Sequence, residues 1–169
     1  QADHQFAVLR THLILKRSLR QQRMKGIFVQ AQRPVFLRDD LSLIADRSKL
    51  RLILENLLSN AIKYSPKGGS IHLHARAHGD NWQLDIADSG SGIPPDERAR
   101  IFDAFYTGKV APGGHVKGTG IGLSVVLEFV NAHGGMIEIV DGEYAGAHFC
   151  VRLPQRAATV QTTEHAHAA

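Results

Sequence analysis

Cysteine is almost missing from this sequence: Cys150 is the single one in 169 residues. One thiol has no internal partner, so a disulfide-stapled secreted scaffold is excluded and a reducing compartment fits. Long apolar runs are missing as well. No uninterrupted stretch approaches the ~18 residues a membrane-spanning helix needs, and no signal peptide opens the chain. Proline is scarce at 6 residues and the 16 glycines follow no period, which excludes collagen-like and low-complexity chains. No internal repeat occurs. Charge of either sign is not in large excess: 20 Lys and Arg face 16 Asp and Glu, a net +4. That balance suits a phosphate-rich ligand and falls far short of a nucleic-acid-binding surface. The basic residues cluster between Arg10 and Arg38 without aromatic neighbours and read as a solvated helix face, so no nucleic-acid partner is expected.

What is present is core-forming material. An apolar fraction of 43% over this length is enough for one domain with a sizeable core. The 10 histidines raise the question of a metal, and His72-x-His74 is the tightest pair. On a strand the two would share a face, but no third or fourth ligand stands at a useful spacing, so no histidine metal site is read here. The chain opens at Gln1 rather than Met, which reads as a piece of something longer.

Residues 6–24 carry Phe6, Leu9, Leu13, Ile14 and Leu19 at rough helical spacing and predict an amphipathic helix leading in from upstream. Lys25-Gly26 ends it, and a short strand is expected at 27–29. Asp46 is a plausible N-cap for a helix whose apolar face is Leu50, Ile53, Leu54, Leu57, Leu58, Ala61 and Ile62. Ser65-Pro66 stops it. A hairpin follows, with strands at 70–78 and 82–87. Pro95 opens a short helix reaching about Phe105, residues 106–117 form a loop, and a further helix spans about 120–133. Strands near 136–140 and 147–153 close the domain, and the tail from Gln155 is expected to be unstructured. The order predicts an α/β (α+β) fold: a two-layer sandwich of a mixed, mostly antiparallel sheet against about three helices.

Three features could carry chemistry. On the helix from Asp46, Asn56, Asn60 and Lys63 fall within about 60° of arc, away from the leucines. Two amides and an ammonium in one stripe suit a cation with its phosphate oxygens. Mg²⁺ keeps most of its waters, so one amide oxygen plus phosphates suffices. On the stripe alone, a plain solvated face is the better explanation. Next, Asp88-Ser89-Gly90-Ser91-Gly92-Ile93-Pro94 follows a strand. Asp88 could accept from an exocyclic amine such as that of adenine, with glycines admitting a flat base, or it could simply be an Asx-turn residue. Last, Lys117-Gly118-Thr119-Gly120-Ile121-Gly122-Leu123 enters a helix. Glycines there expose backbone N–H groups and the positive helix end, where phosphate binds, although the spacing matches neither a P-loop nor a dinucleotide fingerprint.

Taken in order, these segments resemble the nucleotide-binding boxes of sensor histidine kinases. Residues 54–66 resemble the N box, 88–92 the G1 box, Ile101-Phe102-Asp103-Ala104-Phe105-Tyr106 the F box, and 118–123 the G2 box. The resemblance covers 25–154, and it divides the chain into a lead-in helix at 1–24 from a missing dimerisation and phosphoacceptor region, a catalytic ATP-binding domain at 25–154, and a tail at 155–169. It implies ATP and Mg²⁺ as cofactors, with Asn60 as the metal ligand, Asn56 in support, Lys63 on phosphate and Tyr64 beside the nucleotide. It further implies Asp88 on the adenine amine, Gly90, Gly92 and Ile93 shaping the base pocket, and Lys117, Gly118, Thr119, Gly120, Gly122 and Leu123 around the phosphates. An ATP lid would span 106–117, with Phe102 and Phe105 anchoring its base.

The related gyrase-type and chaperone-type ATPases place a glutamate four residues before the metal-binding Asn to activate water. Here Asn56 stands there, and an amide is no general base. Slow hydrolysis is therefore expected, which suits a domain that holds ATP for a histidine on a separate helical domain. No His-Glu-x-x-Thr-Pro-like run occurs, so neither His4 nor His12 is assigned that role. The expected parent is an inner-membrane, homodimeric kinase acting on a response regulator, with this piece a cytoplasmic monomer. Thr107 stands where the family often has Arg, leaving Lys109 and Lys117 as lid cations, and Ala147 stands where a hydroxyl residue is usual. The alternatives are a degenerate nucleotide-binding regulatory scaffold and an anti-sigma-type serine kinase.

Overall fold

The computed structural model describes residues 6–10, 28–30, 42–66, 68–108 and 118–155. In chain order the elements are β1 (Phe6–Arg10), β2 (Phe28–Gln30), β3 (Ser42–Asp46), α1 (Arg47–Tyr64), β4 (Ser70–His78), β5 (Asn81–Ala87), α2 (Gly122–Ala132), β6 (Met136–Ile139) and β7 (His148–Pro154). A five-stranded sheet runs β2-β4-β5-β7-β6, and β1 pairs with β3 in a separate ribbon. Only the β2–β4 neighbours are parallel; the β4–β5, β5–β7 and β6–β7 pairs are antiparallel. This is the expected mixed, mostly antiparallel sheet.

Alternation builds the core. Ile71, Leu73 and Ala75 of β4, Trp82, Leu84 and Ile86 of β5, and Phe149, Val151 and Leu153 of β7 are buried on one face of the sheet. Against them α1 lays Leu50, Ile53, Leu54, Leu57, Leu58 and Ala61, and α2 adds Val126 and Val130. Asp46 caps α1 as expected: its Oδ1 accepts from the N–H groups of Ser48 at 2.8 Å and Lys49 at 3.2 Å. The Asp46 N–H in turn donates to His133 Nε2 at 3.2 Å, which ties the start of α1 to the end of α2. At its other end α1 stops at Ser65, whose φ −72 and ψ 141 are the extended values that a following proline imposes. Cys150 is buried in β7, and burial above all pushes its thiol up to about 11, so it is a packing residue rather than a reactive one.

Three expectations need correcting. Phe6–Arg10 is a strand rather than the start of a helix, paired with Ser42–Asp46. The run Phe6-Ala7-Val8-Leu9 is short and apolar throughout, a pattern that fits either element, and the ladder to β3 decides it. Residues 11–24 lie outside the described residues. Second, 94–106 is a chain of tight turns, not a helix. Glu97 N–H donates to Pro94 O, Arg100 to Glu97 O, Asp103 to Arg100 O and Tyr106 to Asp103 O, each three residues back, while Ile101 to Glu97 O reaches four. Pro94 and Pro95 supply no N–H, and the run ends at Phe105 in the left-handed region with φ +68. The described residues thus hold two helices, not three. Third, Gln155 is not loose: its N–H donates to Asp80 O at 2.9 Å. Residues 156–169 lie outside the described residues.

Candidate functional site

The polar stripe of α1 faces the glycine-rich entry to α2. Asn56 Nδ2 donates back to Leu52 O at 2.8 Å, which fixes the amide and leaves Oδ1 on the other side. That oxygen sits 2.8 Å from where a Cβ on Gly122 would stand, so the first turn of α2 approaches it with backbone alone. One turn along, Asn60 is half-buried and its amide has no side-chain partner among the described residues. Lys63 Nζ lies over the Tyr64 ring, 4.9 Å from its centroid, and 3.0 Å from a Cβ position on Gly118. Gly120, at φ +71, meets the backbone of Phe105, whose N–H donates to Gly120 O at 2.9 Å.

Asp88 anchors the other end. It is 5% exposed, and its Oδ1 accepts from Gly90 N–H at 2.8 Å and Ala147 N–H at 3.1 Å. Both bonds fall on one oxygen, so Oδ2 keeps its lone pairs without a donor among the described residues. Burial raises the carboxyl above its ordinary value, by more than these two bonds lower it. The turn itself is locked to β4 by Ser89, whose Oγ accepts from Ser70 N–H at 2.9 Å and donates to Ser70 O at 3.1 Å. A Cβ on Gly90 would come within 2.6 Å of Tyr64 O, which places this turn directly against the end of α1.

The structure therefore gathers Asn56, Lys63, Tyr64, Asp88, Gly90, Gly118, Gly120 and Gly122 around the outward side of α1. Thr119 is exposed, its Oγ1 3.4 Å from the Ile121 N–H. Ile93 and Leu123 pack against the edge of the core. Gly92 and Ile93 also line a cavity of about 430 Å³ between residues 91–98 and 139–148 that none of the α1 stripe reaches. Lys109 and Lys117 lie outside the described residues, as does most of the 106–117 loop. Phe102 packs edge-on to Phe149 at 6.4 Å, as expected of an anchor. Phe105 does not: its ring is 75% exposed, and its backbone rather than its side chain meets Gly120. Sequence reasoning missed the Ala147 N–H as a brace for Asp88, because a backbone donor 59 residues away leaves no mark in side-chain identity.

Residues 45–157 match the family of histidine kinase-, DNA gyrase B- and HSP90-like ATPases. The chain belongs to that family. Among curated relatives of this ATPase domain, the alginate biosynthesis sensor protein KinB of Pseudomonas aeruginosa is 38% identical over 109 residues, covering 64% of this chain and 18% of its own length. The sensor protein KdpD of Escherichia coli is 39% identical over 123 residues, 72% of this chain and 14% of KdpD. The chain thus spans less than a fifth of either. Among solved structures, the mycobacterial sensor histidine kinase MprB superposes with a TM-score of 0.74 at 28% identity, covering 90% of this chain and all of that one. Full-length ShkA, solved with AMPPNP, gives 0.69 at 28% identity, covering 93% of this chain and 33% of ShkA. The ATPase domain is therefore homologous to those of sensor histidine kinases. In it Glu55 is spoken for, paired with Arg51 Nε at 2.7 Å one turn away on α1. No helix among the described residues is long and apolar enough to cross a membrane.

Proposed function

We propose that this domain binds ATP with Mg²⁺ between α1, the Asp88 turn and the entry to α2, and presents the γ-phosphate to a histidine on a separate helical domain of its parent kinase. The observation that carries this reading is Asp88: a buried carboxylate, held by two backbone donors on one oxygen, with the other oxygen available to an exocyclic amine. An adenine N6 donates there, and a guanine O6 would meet it lone pair to lone pair. Gly90 and Gly92 let the base approach, and Tyr64 and Ile93 flank it. At the far end the amide oxygen of Asn60, without a side-chain partner among the described residues, suits a hard cation, and Asn56 Oδ1 is held toward the α2 entry where it supports the same charge. Mg²⁺, when bound, would neutralise phosphate charge. Lys63 contributes its ammonium beside Gly118, and Gly118, Gly120 and Gly122 with Thr119 offer backbone N–H groups at the start of α2. Lys117 and the 106–117 loop would close over them.

With an amide at position 56 and Glu55 engaged by Arg51, no carboxylate on this stripe is placed to activate water. Slow hydrolysis follows, and ATP is kept for the phosphoacceptor. The parent is read as a homodimeric inner-membrane sensor kinase with a response regulator as its downstream partner, and this domain as its cytoplasmic portion. The test is calorimetric titration of the chain with a non-hydrolysable ATP analogue, with and without Mg²⁺, alongside Asn60→Ala. Expected is Mg²⁺-dependent binding that weakens at least about tenfold in the variant, the loss of one charge-assisted contact. Absence of binding at millimolar nucleotide by a folded sample would move the degenerate scaffold to first place.

A further inference from the structure

The connection between β6 and β7, residues 140–147, ends on the Ala147 N–H that braces Asp88, and its start is fastened across the 430 Å³ cavity to the segment that follows the Asp88 turn. Arg98 makes that fastening. Its Nη1 donates to Asp141 Oδ2 at 2.8 Å and its Nη2 to Asp141 Oδ1 at 2.6 Å, while its Nε donates to Ile93 O at 3.2 Å. One guanidinium thus joins three points: the carbonyl of Ile93, the carboxylate of Asp141 and its own turn at 97–100. The bonds close a ring, from Asp88 through Gly90 and Ile93 to Arg98, across to Asp141, and back along the loop to Ala147 and Asp88. Isolated surface ion pairs contribute little, but a bidentate fork that also holds a backbone carbonyl restrains direction as well as distance. The middle of the loop is held separately by Tyr144, whose ring lies 4.7 Å from His72 and 5.2 Å from His148.

We propose that Arg98 is a positioning residue for base recognition: through Asp141 it fixes the β6–β7 loop so that the Ala147 N–H holds the Asp88 carboxylate in the orientation that discriminates adenine from guanine. This inference rests on the nucleotide-binding reading above and deepens it. No member of the ring belongs to the α1 stripe or to 118–122, so its loss is expected to act on base discrimination and leave the phosphate side alone.

The experiment uses the whole chain, Arg98→Ala, Asp141→Ala and the charge-swapped pair Arg98→Asp with Asp141→Arg. Amide hydrogen exchange at Ala147 is measured without nucleotide, and non-hydrolysable ATP and GTP analogues are titrated in parallel. Either alanine variant is expected to speed exchange at Ala147 and to weaken the ATP analogue by about threefold, the scale an exposed pair supplies, with the GTP analogue unchanged. The swapped pair is expected to restore each readout in part, because the ion pair between positions 98 and 141 returns while the bond to Ile93 O does not. Unchanged exchange at Ala147, equal weakening of both analogues, or no recovery in the swapped pair would overturn the proposal. A wild-type chain that binds no ATP analogue would bring down the nucleotide-binding reading and, with it, the role in base recognition, while the exchange readout would still decide whether Arg98 restrains the loop.

Discussion

The two ends of the site are built differently. At the Asp88 end every position is set by the protein: the carboxylate is buried, its Oδ1 is held by backbone from both flanks, and Ser89 locks the turn to β4. At the α2 end the groups wait. Asn60 has no side-chain partner among the described residues, Lys63 rests on the exposed ring of Tyr64, and the glycines of 118–122 bring bare backbone close without closing a bond to the α1 stripe. The proposed ligand would account for the contrast. Discriminating a neutral base needs an acceptor in a fixed direction, so the protein supplies the order in advance. Holding a cation and phosphates relies on charge, which is long-ranged and tolerant of geometry, and a cation brings its own coordination waters.

The largest effect expected from breaking this contrast is at Gly120, where the α2 entry meets Phe105. A methyl at Gly120 would stand 2.5 Å from the Phe105 carbonyl carbon at φ +71. Gly120→Ala should cost about 2–3 kcal/mol of stability, read by denaturant titration, because neither backbone can yield cheaply. The pH dependence comes next and separates the ends directly. Burial raises Asp88 above its ordinary value of 3.8. Its contribution to stability is therefore fully present below 3.8 and is lost as pH rises through the raised value, while its use as an acceptor is lost in the opposite direction. ATP-analogue affinity should fall as pH drops through the raised Asp88 value, and GTP-analogue affinity should not follow it. The smallest effect belongs to Gly122. A Cβ there stands 2.8 Å from Asn56 Oδ1, so Gly122→Ala should cost the amide its bond to Leu52 O, about 1 kcal/mol of stability, and weaken Mg²⁺-dependent binding a few-fold.

Much of the fold was legible. The leucine stripe, the Asp46 cap, the Ser65-Pro66 stop and the alternation through β4 are local signals that read the same in sequence and in space. The polar stripe of the candidate site was legible too, since Asn56, Asn60 and Lys63 share a helix face by period alone. What escaped depends on partners distant in the chain. Phe6–Arg10 became a strand because β3 was there to pair with it, and 94–106 runs as three-residue turns that end where Phe105 N–H meets Gly120 O. Phe105 was expected to anchor the base of the lid, and only its left-handed backbone against Gly120 shows why its ring is left outside. The brace on Asp88 from Ala147 and the clasp from Arg98 to Asp141 carry no local pattern at all.

The central claim is that a protein-built carboxylate frame reads the base. Asp88→Asn tests it most directly, since asparagine keeps an oxygen for the Gly90 and Ala147 donors and can turn a donor toward the adenine amine in place of an acceptor. Thermal denaturation and titration with the ATP analogue would be run on the same samples at neutral pH. The account predicts a melting temperature no lower than the parent chain, because the buried charge is gone, together with about thirtyfold weaker ATP-analogue binding, the scale of a lost charge-assisted hydrogen bond replaced by two facing donors. Unchanged ATP-analogue binding by the well-folded variant would contradict it.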